Sequence, residues 1–105
     1  MPHFLLKLIP PRPSFIQDMT KEEILIMQQH AAYAKEMADK GIALVFGPVA
    51  DPAGAWGLGI VECDDESGVK AFIENDPVIR SNIGAEYKVF PMIRAMVAKG
   101  IRKDV

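Results

Sequence analysis

"QQHAAYAKEMADKGIALVFGP", Gln28 to Pro48, holds a helix, its stop signal and a buried strand in one short run. Gln28 to Lys40 is rich in alanine and free of proline and glycine, as a helix interior requires. Gly41 supplies the left-handed conformation that ends the helix, and Lys40 lies near the negative end of the helix dipole. "IALVFG" then reads as a strand apolar on both faces. A helix feeding a buried strand decides the fold class once its neighbours are placed.

Upstream, Thr20 opens the helix, because its hydroxyl accepts from the backbone of Glu23 while the Glu23 side chain reaches back. Spacing by three and four predicts a core stripe of Ile24, Met27, Ala31, Ala34 and Ala38, with His30 flanking it. Further upstream, "HFLLKLI" from His3 to Ile9 is a strand stopped by Pro10 and Pro11, and a loop leads on to Met19. Downstream, the turn-forming "PVADPAGA" joins "IALVFG" to a strand "WGLGIVEC" as an antiparallel hairpin. "GLG" lacks the helix and third glycine of a dinucleotide fingerprint and marks close packing. Asp64 or Asp65 caps a second helix carrying Val69, Phe72 and Ile73, which Pro77 ends. Asp76 sits at that break and can cap a short turn closed by Gly84. "AEYKVFPMI" is the last strand, set at an edge by Pro91, and a short helix is expected around "RAMVAKG". The order is βαββαβ, an α+β ferredoxin-like layout with an antiparallel four-stranded sheet.

The chain has 105 residues, half of them apolar and a quarter charged, which predicts one globular domain over 1–105. A net charge of -2 offers no basic footprint for nucleic acid and no polybasic patch for a membrane. The N-terminal stretch has Lys7 inside its apolar run and no small-residue cleavage site, so it does not read as a signal peptide. The single cysteine, Cys63, suits a reducing cytoplasm and has no thiol partner for a disulfide or metal site. Its neighbours Glu62, Asp64 and Asp65 oppose a thiolate, so it does not read as a nucleophile. Two helices cover only one face of a four-stranded sheet, yet these strands are apolar on both faces. A second copy packed sheet against sheet is the expected cover, making the partner a homodimer.

The histidine on the first helix, "GP" after the second strand and "DP" after the second helix, taken in order with Gly41, resemble the YCII-related (YciI-like) family of the dimeric α+β barrel superfamily. The resemblance spans about Phe4 to Ile93. It implies a dimeric barrel with a small pocket between sheet and helices and a histidine–aspartate pair, carried here by His30 and Asp76. It also implies a cofactor-independent enzyme doing acid–base chemistry, isomerisation, elimination or hydrolysis, on a small, aromatic or lactone-like molecule. One YCII relative is a dehydrochlorinase of a chlorinated hydroxyquinol. The chain departs from the family pattern at Val78, where an aromatic is common, and in its proline-rich loop "PPRPSFIQDM".

The ferredoxin-like topology permits the pair, since the first helix begins and the second ends at the same end of the sheet. A carboxylate beside an imidazole fixes its tautomer and makes it a better base. Without the resemblance, a packed histidine and a helix cap are the commoner readings of His30 and Asp76. Tyr33 stands one turn from His30 as a candidate proton donor, with a packed ring and wet hydroxyl as the simpler reading. Arg12 on the loop can meet an anionic substrate, and Arg80 and Ser81 can line the pocket mouth. His3 reads as a surface residue and Trp56 as a hydrophobic anchor. No metal site or cofactor is expected. Two alternatives stand beside the enzyme: a non-catalytic small-molecule-binding dimer, and a haem or oxygen-using barrel relative.

Overall fold

Alternate residues of the first strand part to opposite faces of the sheet, and the described residues cover only one of those faces. In the computed structural model, which describes residues 1–98 and 100, β1 (His3–Ile9) buries Phe4, Leu6 and Leu8 and leaves Leu5 and Lys7 half-buried. β2 (Ala43–Val49), β3 (Trp56–Glu62) and β4 (Glu86–Pro91) complete an antiparallel sheet of order β2-β3-β1-β4, the order a βαββαβ ferredoxin-like chain forms. Pro48 and Pro91 both lie on edge strands, where a missing donor leaves the ladder intact.

On the covered face, Met37 of α2 (Lys21–Asp39) and Val69 and Phe72 of α3 (Glu66–Glu74) form one core with Phe4, Leu6, Ala43 and Val61. Leu6 is fully buried, so Leu6→Ala removes about 2–5 kcal/mol. Two short helices frame this core: α1 (Phe15–Asp18) and α4 (Pro77–Arg80). The first of them replaces what the sequence predicts as plain loop, and it buries Phe15.

The punctuation works as the residue types demand. Thr20 and Glu23 form a reciprocal capping box, Gly41 takes φ 78°, and Asp65 caps α3 through the N–H groups of Ser67 and Gly68. Gly59 leaves room for a ring: a Cβ there would lie 2.8 Å from the Phe46 side chain. A bulge at Leu44 turns Phe46 toward that space, because Ala43 pairs with Val61 and Val45 with Ile60.

Three expectations are corrected. The buried stripe of α2 is His30, Ala34 and Met37, flanked by half-buried Ile26 and Tyr33, while Ile24, Ala31 and Ala38 are exposed. At 100° per residue this is about a quarter turn from the predicted stripe. His30 therefore belongs to the buried stripe itself. His3 is no surface residue: its side chain is 12 % exposed, and Nε2 lies 3.1 Å from Glu62 across the β1–β3 pair. Arg94 to Ala98 form no helix, Gly100 at the end of that stretch lies in a 3₁₀ turn, and Lys99 lies outside the described residues.

Candidate functional site

Asp76 follows the C-cap of α3, and Pro77 at the first position of α4 restarts the chain as a helix. The break drives the carboxylate inward. Asp76 is fully buried, and a charge there persists only when donors surround it. Val78 N–H donates to Oδ1 at 2.9 Å and the Tyr87 hydroxyl to Oδ2 at 2.6 Å. His30 Nδ1 lies 2.9 Å from both oxygens. Backbone, phenol and imidazole thus converge on one carboxylate from α4, β4 and α2.

That arrangement sets the state of the histidine. An ionised carboxylate only accepts, so Nδ1 carries the proton and donates it, and the lone pair of the neutral ring lies on Nε2. Nε2 has no hydrogen-bond partner among the described residues, and His30 lines a cavity of about 490 Å³. The ring is steadied by Phe46, with centroids 5.3 Å apart. Phe46 in turn lies 6.0 Å from Phe72.

The predicted core stripe of α2 finds its place here. Met27, Ala31, Ala34 and Ala38 form one wall of the cavity, facing Leu44, Phe46 and Pro48 of β2. Leu8 and Val78 line it deeper, and Pro10, Pro11, Phe15 and Ile16 bring in the proline-rich loop and α1. Alanine here makes space rather than core. A volume in this range holds a small molecule.

Of the sequence-predicted site residues, the structure brings His30 and Asp76 together and sets the others elsewhere. The half-buried Tyr33 donates its hydroxyl to the Phe72 carbonyl at 2.6 Å. Burial, with Asp76 nearby, pushes its pKa up to about 12. Arg12 is bound by Glu23 at 2.8 and 2.9 Å and by Asp18 at 2.9 Å, so it ties the loop to the start of α2. The same bonds lower the Glu23 carboxyl to about 2. Arg80 is exposed, and Ser81 Oγ donates to the Val78 carbonyl at 2.9 Å. Neither lines the cavity, nor do Arg12 and Tyr33. Trp56 does, with Nε1 donating to Asp51 at 3.1 Å. Burial, then Asp64, Asp65 and Glu62, raises the Cys63 thiol.

Tyr87 is the residue that sequence reasoning missed. Burial first, then the Asp76 charge, holds its phenol well above the usual range. Its signal is a hydroxyl on the core side of an edge strand, since a buried tyrosine needs a partner. Among the described residues no group of three or more His, Cys, Asp or Glu is placed to hold a metal ion, and no helix is long and apolar enough to cross a membrane.

Three comparisons bear on this site. The YCII-related domain family matches residues 4–93. Among solved structures, the chain is similar to a 5-chloro-2-hydroxyhydroquinone dehydrochlorinase from Burkholderia phenoliruptrix AC1100, in complex with 2,5-dihydroxybenzoquinone. The two share 23 % identity and a TM-score of 0.59, over 92 % of this chain and 97 % of that one. No curated protein matches the sequence significantly.

Proposed function

The chain belongs to the YCII-related domain family, and from that premise we propose that it is a cofactor-independent enzyme in which His30 is the base and Asp76 its partner. The observation that carries this reading is a buried histidine whose Nδ1 is held by a buried carboxylate, whose Nε2 has no hydrogen-bond partner among the described residues, and whose ring lines a cavity. Nε2 takes a proton from the substrate, and the imidazolium that forms is stabilised by the adjacent Asp76 charge. The electron pair of the broken bond to hydrogen then expels a leaving group, giving elimination, or recaptures the proton elsewhere, giving isomerisation.

The proposed working unit is a homodimer. Val45, Ile60, Leu5 and Phe90 stand in register across all four strands, a continuous apolar row on the uncovered sheet face. Val45 is 46 % and Phe90 50 % exposed. A second copy covering this row removes the patch, and sedimentation at twice the chain mass checks it. The cytoplasm is the proposed compartment, on the sequence argument from one cysteine.

The test of function starts from the chemistry of the structural relative. Release of chloride from 5-chloro-2-hydroxyhydroquinone, and proton exchange with solvent by other small acidic ring compounds, is followed for the native chain and for His30→Gln. The base role predicts a loss of roughly 10²–10⁴-fold in kcat/KM for whichever compound turns over. A variant as active as the native chain contradicts it, and ligand binding without turnover of any compound replaces it with a binding module.

A further inference from the structure

We propose that the cavity selects a small, largely apolar acid, whose reactive hydrogen meets His30 Nε2 at the buried end and whose anionic group meets Lys35 at the mouth. This rests on the reading of His30 as a base and adds the class of molecule it acts on.

The charges lining the cavity set this class. Among the described residues lining it, only His30 and Lys35 are titratable, and no aspartate or glutamate is among them. The remaining walls are overwhelmingly apolar, as at Met27 and Phe46. A sugar or nucleotide would leave several polar groups unpaired there, each at a cost comparable to a lost hydrogen bond. One donor toward Nε2 and one anion toward an ammonium satisfy what the walls provide.

Lys35 is free to serve. Its side chain is 76 % exposed, and its bond to Asp39 at 3.0 Å is an i,i+4 surface pair, a kind that contributes little and reopens readily. Arg12 is no competitor, since Asp18 and Glu23 hold it. Asp76 does not repel the ligand strongly, because three donors meet its charge. The two ligand contacts are five residues apart on α2, roughly 7.5 Å along the axis at 1.5 Å per residue and about 140° apart around it, so the flexible lysine stem has to carry its ammonium round to the cavity. A single ring bearing groups at opposite ends spans that distance with help from the lysine stem.

The test uses the full chain and three defined probes: 4-hydroxybenzoate, its neutral isostere 4-hydroxybenzamide, and 4-methoxybenzoate, which lacks the hydroxyl proton. Dissociation constants come from NMR titration, read on the His30 ring and on the amides of Ala31 and Ala34. The expected result is binding of 4-hydroxybenzoate about fivefold tighter than the amide, the upper range of an exposed ion pair. 4-Methoxybenzoate should bind more weakly than 4-hydroxybenzoate. Lys35→Gln should bring acid and amide within twofold, by weakening the acid alone. Equal affinity for acid and amide in the native chain overturns the proposal. So does a preference that survives Lys35→Gln, or an absence of shifts at the cavity with every probe. An acid preference that holds while His30→Gln leaves turnover intact removes the base role and keeps the ligand class. Equal binding with turnover lost in His30→Gln does the reverse.

Discussion

The chain has two histidines, and each stands beside a buried carboxylate. His3 faces Glu62 through Nε2 across two strands, at 3.1 Å but off hydrogen-bond alignment, and that nitrogen is itself buried. His30 faces Asp76 through Nδ1 and lines a cavity, its Nε2 without a hydrogen-bond partner among the described residues. The two share an imidazole beside a carboxylate, a short distance and burial. They differ in which ring nitrogen faces the carboxylate and in the cavity, which His30 lines and His3 does not. A buried histidine–carboxylate pair is therefore not a site by itself. The proposed site adds alanines on α2 that leave room, a break at Asp76-Pro77 that turns a carboxylate inward, and a phenol that donates to it.

The largest effect that can break this comparison is on turnover. If the two pairs differ as argued, His3→Gln should stay within about threefold of the native kcat/KM, where His30→Gln loses roughly 10²–10⁴-fold. Equal losses in steady-state kinetics would erase the distinction.

Next comes the partner. Asparagine caps about as well as aspartate, so Asp76→Asn should keep α4 capped while removing the charge that holds Nδ1–H. A loss of about 10²-fold in kcat is expected, with a stability cost of about 1–3 kcal/mol from the altered buried bonds. Glu62→Gln should leave kcat near the native value. Chemical denaturation beside kinetics separates the two readouts.

Much of this was legible in the residues, for reasons that differ by position. Thr20, Gly41 and Asp65 act through neighbours within three residues, so their roles can be read from a short window. The "DP" at Asp76 announced a break in the same way. The facing of α2 was not legible, because alanine suits a tight core and the wall of a cavity equally. The predicted stripe describes a real surface of the helix, only a cavity-lining one. Arg12 and His3 were misread because their partners, Glu23 and Glu62, come close only through the loop and the strand register. Tyr87 counts as one more apolar residue in strand alternation until the fold sets Asp76 against its hydroxyl.

Tyr87→Phe tests that hydroxyl as a positioning group. It keeps the ring and removes one donor, so a stability loss of about 1 kcal/mol and a fall of about tenfold in kcat are expected, with KM nearly unchanged. A fall in KM-linked binding alone would mean that the phenol shapes the cavity instead of holding Asp76.

The smallest effect is spectroscopic. Tyr33 and Tyr87 are the only tyrosines, and both phenols are raised in the folded chain, by burial first and by Asp76 next. A group raised above its unfolded value stabilises fully below the unfolded pKa near 10 and loses that contribution as pH rises through the folded one. Stability should hold to about pH 10 and fall beyond it, with Tyr33 titrating at about 12 and Tyr87 higher still. Ultraviolet absorbance of tyrosinate follows this directly. In Asp76→Asn the Tyr33 titration should move only part of the way back, since burial remains.

The central claim is that Asp76 holds the His30 proton on Nδ1 and leaves Nε2 bare at the cavity. Long-range ¹H–¹⁵N correlation of the two imidazoles, at a pH where the rings are neutral, reads the tautomers one by one. The account predicts the Nδ1–H form for His30 in the native chain and loss of that preference in Asp76→Asn. A native His30 carrying its proton on Nε2 would contradict it.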